Sequence, residues 1–489
     1  MKLRAAKLRG IKRNSSEAEY PPSLACGELR KGYSPRLHPR NKLRGIRRRR
    51  IILIFEFMNV HFIGIGGVGM SALAKYYLSQ DATVSGSDLC SSEITDELRH
   101  LGVNVIIGKD QKENLPEKID TVIYTAAVPK QSSELAEAKK RKIKIVVYAE
   151  AVGELTKKYK TITISGAHGK STTTALTALV LEEGYHDPTV IVGTKIKEFG
   201  NSNFRKGRGS YLVLEADEWN KSFLQYFPHI AVVTNIDAEH LDTYKTVHAV
   251  EKTFEKYLER VPKNGAIVAN LDDSRLEKVA LKFVKKVTWY SLRDPAAVHV
   301  RNVLRIPGEH NVSNALAALT VGRLVGVRET DALRALGRFS GAWRRFEFKG
   351  LFNGAYIFDD YGHHPREIMA TIAAARERFP LRRVWCVYQP HQYQRLQYLW
   401  DDFITSFDRA DRLCFLPVYD VAGRETATAK EAVNSLKLTQ ELVRRGKRAC
   451  HLDNFEEAKE YLASEIRQGD VVLIMGAGDI YQLTQNLIS

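Results

Sequence analysis

Short apolar runs alternate with longer stretches of mixed polarity along this chain, and several of the runs end at glycines or carboxylates. Val60-His61-Phe62-Ile63 is a run of the kind that forms a buried parallel strand. It leads into Gly64-Ile65-Gly66-Gly67-Val68-Gly69, a helical stretch over 70–78 and a second strand over 82–87 that stops at Asp88. Thr161-Ile162-Thr163-Ile164 is a β-branched strand, turned by Ser165-Gly166-Ala167-His168-Gly169-Lys170-Ser171-Thr172-Thr173-Thr174 into a helix over 175–181. Residues 211–214 and 230–234 repeat the strand pattern. Nearer the C-terminus, 384–388, 412–416 and 471–475 read as strands between helical stretches, and the last runs into Gly476-Ala477-Gly478-Asp479. Strands alternating with helices predict an α/β protein with parallel sheets.

The length of 489 residues suits about three domains. Five cysteines, Cys26, Cys90, Cys386, Cys414 and Cys450, are scattered with no CxxC pair, and read as reduced thiols of a cytosolic protein. The net charge of +17 suggests nucleic acid until it is located. Residues 1–57 hold 16 Lys and Arg against 4 Glu, a net of +12, which leaves only +5 for the rest. This tail has little apolar periodicity, its run Ile51-Ile52-Leu53-Ile54-Phe55 is too short to span a bilayer, and no signal-peptide cleavage site follows it. It reads as disordered: a basic arm for RNA or an anionic surface, or translated sequence upstream of a start at Met58.

Two turns carry nucleotide chemistry. Gly64, Gly66 and Gly69 form GxGxxG after a strand, and Asp88 follows Gly69 by 19 residues, the fingerprint of a dinucleotide-binding fold. Alone it predicts an NAD-dependent dehydrogenase. The second turn, Gly169-Lys170-Ser171, offers backbone donors to phosphate oxygens, an ammonium to the β- and γ-phosphates and a hydroxyl to magnesium. It departs from strict P-loop spacing, with Ile164 where the first glycine would stand. Strand ends then deliver Glu215-Ala216-Asp217-Glu218 and Asn235-Ile236-Asp237-Ala238-Glu239-His240-Leu241-Asp242, hard oxygen donors of the type Mg²⁺ takes beside a triphosphate. No GxSxG elbow or Cys/His nucleophile pattern stands out.

These motifs, with Met70-Ser71, Gly308-Glu309-His310-Asn311-Val312-Ser313-Asn314-Ala315, Trp343-Arg344-Arg345-Phe346, Asp359-Asp360-Tyr361-Gly362-His363-His364-Pro365 and Gln389-Pro390-His391, resemble the Mur ligases of peptidoglycan synthesis, and among them the alanine-adding branch. The likeness runs from Met58 to near the C-terminus. It implies an N-terminal Rossmann-like domain over 58–156 for a UDP-sugar, a central P-loop-type ATP-binding domain over 157–340 and a C-terminal Rossmann-like domain over 341–489. It also implies a cytoplasmic ligase that uses ATP and Mg²⁺ and acts on UDP-N-acetylmuramate and L-alanine. Under the resemblance Gly64, Gly66, Gly67, Gly69 and Asp88 bind the UDP-sugar. Gly166, His168, Gly169, Lys170, Ser171, Thr172, His310, Asn311, Asn314, Arg345 and Asp360 bind ATP. Ser171 and Glu215 hold one metal and His240 a second, so that Lys170, Glu215 and His240 are the catalytic set. Tyr361, His363, His391 and Arg395 line the amino-acid or muramyl pocket. Two stretches depart from the branch: Trp219-Asn220 stand where it shows Ser-Asp, and Gln392 where it shows arginine.

Overall fold

The computed structural model describes residues 58–238, 241–420 and 427–488. The basic tail over 1–57 and His240 lie outside the described residues. The apolar runs form the strands of three sheets. β1 (Asn59–Ile63), β2 (Thr83–Asp88), β3 (Asn104–Ile107), β4 (Thr121–Tyr124) and β5 (Lys144–Val147) make a wholly parallel sheet in the order β3-β2-β1-β4-β5. The order reverses at β1, which opens a crevice beyond the carboxyl ends of β1 and β4, where such sheets bind ligands.

The second sheet contains β6 (Lys160–Ser165), β7 (Thr189–Ile196), β8 (Ser202–Arg205), β9 (Tyr211–Glu215), β10 (Ile230–Val233), β11 (Ala266–Asn270) and β12 (Val287–Tyr290), in the order β12-β11-β10-β6-β9-β7-β8. Only β8 is antiparallel to its neighbour. β6 sits between β9 and β10, so the phosphate turn after β6 emerges between the acidic ends of both. The helix after this turn, Lys170–Glu183, is buried from Ser171 through Leu181 and packs against β6, β7, β9 and the helix Glu309–Leu324. It begins at Lys170 and not at 175, and the helix after the first glycine turn begins at Val68 and not at 70. Helix propensity reads Ser-Thr-Thr-Thr as loop, whereas burial of those side chains makes them the first helical turn.

The third sheet, β13 (Glu347–Phe352), β14 (Ala355–Asp360), β15 (Val384–Tyr388), β16 (Arg412–Phe415), β17 (Ala449–His451) and β18 (Val471–Met475), has the order β13-β14-β18-β15-β16-β17, with β13 the antiparallel edge. Its two central strands, β18 and β15, are apolar and buried throughout, as parallel strands covered on both faces must be.

The first and second sheets are tied by a polar seam. Lys75 donates to Glu97 and, at 2.9 Å, to Asn203 Oδ1, Lys195 donates to Glu93 Oε1 at 2.7 Å, and Asn203 Nδ2 donates to Ser71 Oγ at 2.9 Å. Burial lowers the Lys75 pKa, and the carboxylate of Glu97 opposes that shift. Among the described residues no helix is long and apolar enough to cross a membrane.

Candidate active site

The phosphate turn is held open by two glycines in the left-handed region. Gly166 has φ +129° and Gly169 φ +83°, and a β-carbon on Gly166 would lie 2.2 Å from Thr234 Oγ1. His168 N–H donates to Asn235 Oδ1 at 2.9 Å, which fastens the turn to the end of β10. The helix then starts at Lys170, with its free N–H groups and dipole aimed at the space where an anion would sit.

Lys170 is half-buried, and its ammonium donates to Gly166 O at 2.8 Å, to Ala167 O at 3.3 Å and to Glu218 Oε2 at 3.1 Å. Burial works against its charge, but Glu218, Asp217 and Glu215 outweigh that and hold the lysine above its ordinary pKa. Glu218, 1% exposed, is pushed up by burial to about 7 against the pull of Lys170. Glu215 ends β9 beside this pair. One of its oxygens accepts from Ser171 Oγ at 3.0 Å and the other from Gly193 N–H at 2.7 Å. Burial raises the Glu215 pKa, and Gly193 and Lys170 oppose the rise. A half-buried carboxylate and a hydroxyl 3.0 Å apart at such a turn are a donor set that suits Mg²⁺.

The C-terminal sheet supplies the opposite wall. Asp360, at the end of β14, is 5% exposed and accepts from Phe346 N–H at 2.7 Å and Gly362 N–H at 2.8 Å. Arg345 lies with its guanidinium over the Tyr361 ring at 5.2 Å and 3.6 Å from Glu367 Oε1. Arg345 and Asp360 line one cavity, and among the described residues the carboxylate paired with the guanidinium is that of Glu367. His391 stacks on Tyr419 at 5.4 Å, and Arg395 donates to His391 O at 3.2 Å.

Two cavities meet on this ground. The larger, about 630 Å³, is lined from all three sheets: Gly67, Gly69, Thr125 and Tyr148 from the first, Lys170, Glu215 and Trp219 from the second, and Tyr361, His363, His391, Gln392 and Arg395 from the third. The smaller, about 340 Å³, is lined by His168, Thr172, Asn235, His310, Asn311, Asn314 and Asp360. Gly169, Ser171, Arg345 and Glu367 line both. Gly64, Gly66 and Asp88 line neither. Asp88 Oδ2 accepts the Gly66 N–H at 2.8 Å and so braces the first glycine turn from behind. Gly166 likewise shapes its turn without lining either of these two cavities.

Sequence reasoning passed over three groups. Glu218 is the counter-ion of Lys170, and Glu367 touches both cavities. Asp237, 3% exposed, holds His168 Nε2 at 3.2 Å. Glu218 and Asp237 stood inside recognised acidic clusters, but which member faces inward depends on backbone the sequence does not print. Glu367 stands three residues after His364 and closes a capping box with it, so its pattern is that of an ordinary helix start.

Comparison with known proteins places this architecture. The chain matches the models of the Mur ligase family catalytic domain over residues 59–160, the Mur ligase middle domain over 164–322 and the Mur ligase glutamate ligase domain over 344–478. It is 37% identical to the UDP-N-acetylmuramate--L-alanine ligase of Clostridium acetobutylicum, over 88% of this chain and 97% of that protein. The ligase of the same name from Clostridium botulinum strain Kyoto is 36% identical over 89% of this chain and all of its own length. Among solved structures, the UDP-N-acetylmuramate-alanine ligase MurC of Thermotoga maritima is 26% identical with a TM-score of 0.74, covering 88% of this chain and 98% of that one. A murein peptide ligase of Psychrobacter arcticus shares the fold, with 20% identity and a TM-score of 0.63 over 88% of this chain and 98% of its own. None of these relatives supports reading the first glycine turn as a nicotinamide site. Three matched domains in order, on three sheets whose loops converge on one phosphate turn, make this chain a member of the Mur ligase family.

Proposed function

We propose that this enzyme joins L-alanine to the lactyl carboxylate of UDP-N-acetylmuramate, splitting ATP to ADP and phosphate through an acyl phosphate, in the cytoplasmic stage of peptidoglycan precursor synthesis. The observation that carries the reading is the meeting of two cavities at Gly169, Ser171 and Arg345. One is of nucleotide size and abuts the phosphate turn. The other runs from there to the glycine turn of the first sheet, where a UDP-sugar would lie with its diphosphate on Gly67 and Gly69. The γ-phosphate and the sugar's carboxylate then share the seam.

A carboxylate does not acylate an amine because oxide would have to leave. Transfer of the γ-phosphoryl to a carboxylate oxygen makes phosphate the leaving group. The amine then attacks the carbonyl carbon, a tetrahedral intermediate forms, and its collapse breaks the C–O bond to phosphate. In this reading Lys170 leaves Glu218 for the β- and γ-oxygens and stabilises the charge that accumulates there. The N-terminus of the helix Lys170–Glu183 holds the same phosphates, and Arg345 and Asp360 fix the nucleotide from the C-terminal side. Ser171 and Glu215 would hold Mg²⁺, with His240 as ligand of a second ion. When bound, the metal offsets charge on the transferring phosphoryl. Positioning and electrostatics suffice, without a protein nucleophile.

The relatives' names support the choice of L-alanine, and Trp219 and Gln392 in the larger cavity are where another acceptor would show itself. Incubation with ATP, UDP-N-acetylmuramate and single amino acids, read as phosphate release, should show stimulation by L-alanine. Release driven by a peptide and by no amino acid would replace L-alanine with a peptide acceptor. No release with either would remove the ligase reading.

A further inference from the structure

We infer that Glu367 is a positioning residue that couples closure of the C-terminal domain to the seating of the phosphate turn, because its one carboxylate joins His168 of that turn to Arg345 and His363 across the domain boundary. The inference rests on the ligase reading above and extends it to how the two halves of the site sense each other.

Glu367 Oε1 lies 3.4 Å from His168 Nδ1 and 3.6 Å from Arg345 Nη1. Glu367 Oε2 lies 3.5 Å from His363 Nδ1 and accepts the N–H groups of His363 at 3.0 Å and His364 at 3.2 Å. His168 is reached from the other side by Asp237, whose Oδ2 also takes Arg366 Nε at 3.0 Å. A second line of contact thus crosses the same boundary.

His168 follows β6 of the central sheet, whereas Glu367 stands in the first turn of the helix Pro365–Arg378 after β14. Any opening of the C-terminal domain must separate them. When they part, the Glu367 carboxylate withdraws from its 3.4 Å approach to His168 Nδ1, immediately before Gly169 and Lys170. Arg345 and His363 belong to the same domain as Glu367 and move with it, so opening carries this whole cluster away from His168. Only an anionic group with several acceptor positions can serve two backbone donors and these three side chains together. Glu367 also lines both cavities, so it stands where nucleotide and acceptor acid would be registered at once.

The test compares wild type with Glu367→Gln, Glu367→Asp, His168→Ala and the double variant His168→Ala/Glu367→Gln in the full chain. Glutamine keeps an oxygen for the two backbone N–H groups, so the helix start survives while the charge is lost. We expect Glu367→Gln to lower kcat about 100-fold and to change the KM for the UDP-sugar by less than about tenfold, since the diphosphate of that ligand rests on Gly67 and Gly69 while only its carboxylate end approaches Glu367. Glu367→Asp, which restores the charge, should recover at least about tenfold of that loss. In the double variant the two losses should overlap, leaving activity within about threefold of the worse single variant. A fluorescence-transfer pair on the central and C-terminal domains should report ATP-induced closure in wild type and its loss in Glu367→Gln. This arm uses ATP alone, so it stands even if L-alanine is not the acceptor. Multiplicative losses in the double variant, or Glu367→Gln turning over and closing like wild type, would overturn the proposal.

Discussion

Asn314 places its Oδ1 2.3 Å from the point where a β-carbon on Gly169 would sit. Gly169 is left-handed at φ +83°, and Asn314 Oδ1 is the end of a side chain that lines the smaller cavity, so a methyl on residue 169 would turn that amide aside. Gly169→Ala therefore meets two penalties. The left-handed backbone costs about 1–2 kcal/mol for alanine, and the methyl displaces Asn314 from the nucleotide cavity. ATP affinity by calorimetry should fall at least about tenfold, which is about 1.4 kcal/mol. Pairing it with Asn314→Ala should recover thermal stability lost to the clash but not the affinity. A single variant that binds ATP as wild type does would show that the turn does not hold phosphate.

Lys170 pairs with the buried Glu218, so removal of the lysine has a structural and a chemical effect that can be separated. Lys170→Met should lower turnover by at least about 10³, as loss of a main phosphate contact does. It should also lower Tm, because an unmatched buried carboxylate costs about 3–5 kcal/mol. Lys170→Met/Glu218→Gln should regain most of the Tm and none of the turnover. Wild-type-like phosphate release in Lys170→Met would refute the placement of the triphosphate.

The parts of this molecule legible in the sequence were those set by local pattern. Val60-His61-Phe62-Ile63 and Thr161-Ile162-Thr163-Ile164 announce buried strands because they are apolar or β-branched over a strand's length, and the glycines after them announce turns because only glycine takes φ +83° without strain. The pairing of His168 with Glu367 was not legible. Nothing in a capping-box glutamate says that its carboxylate also faces another domain's loop. The seam of Lys75, Glu97 and Lys195 was hidden for the same reason, since on their own helices and strand these residues read as solvated charges. Among the described residues the cysteines are free thiols, as their scatter suggests, but their spacing along the chain did not show which of them meet. Cys414 and Cys450 stand in register on adjacent parallel strands, with sulfurs 3.4 Å apart.

Acid should weaken the contact between the central and C-terminal domains. Burial alone would raise the Asp237 carboxyl, but the hydrogen bond and charge of His168, with the Ala238 N–H and His364, hold it below its ordinary 3.8. Burial would likewise raise Glu367, and His363, His168 and Arg345 hold it well below its ordinary 4.5. A carboxyl whose pKa is depressed in the folded state contributes stability that is fully present above its unfolded value, here above pH 4.5, and is lost as pH falls toward the folded value. Each unit of depression amounts to about 1.4 kcal/mol. The urea midpoint should therefore drop between pH 7 and about pH 3, and the drop should be smaller in Asp237→Asn, which has no proton to gain. An equal drop in variant and wild type would remove Asp237 from this account.

Alkylation should discriminate among the thiols by exposure and by their neighbours. Cys90 is exposed, whereas Cys386 and Cys414 are buried. Burial pushes the Cys386 thiol up, and the hydrogen bond with Cys450, together with burial, pushes Cys414 up. Cys450 is half-buried, and its pKa is lowered, first by the hydrogen bond it shares with Cys414. Because the thiolate is the nucleophile, iodoacetamide near pH 7.5 should label Cys90 and Cys450 at least about tenfold faster than Cys386 and Cys414. Once Cys450 is blocked, Cys414 should remain protected, since its strand lies inside the C-terminal core. Peptide mapping over time reads all four rates at once. Labelling of Cys414 ahead of Cys450 would mean that the thiolate of this pair sits on the buried sulfur, and would reverse the assignment.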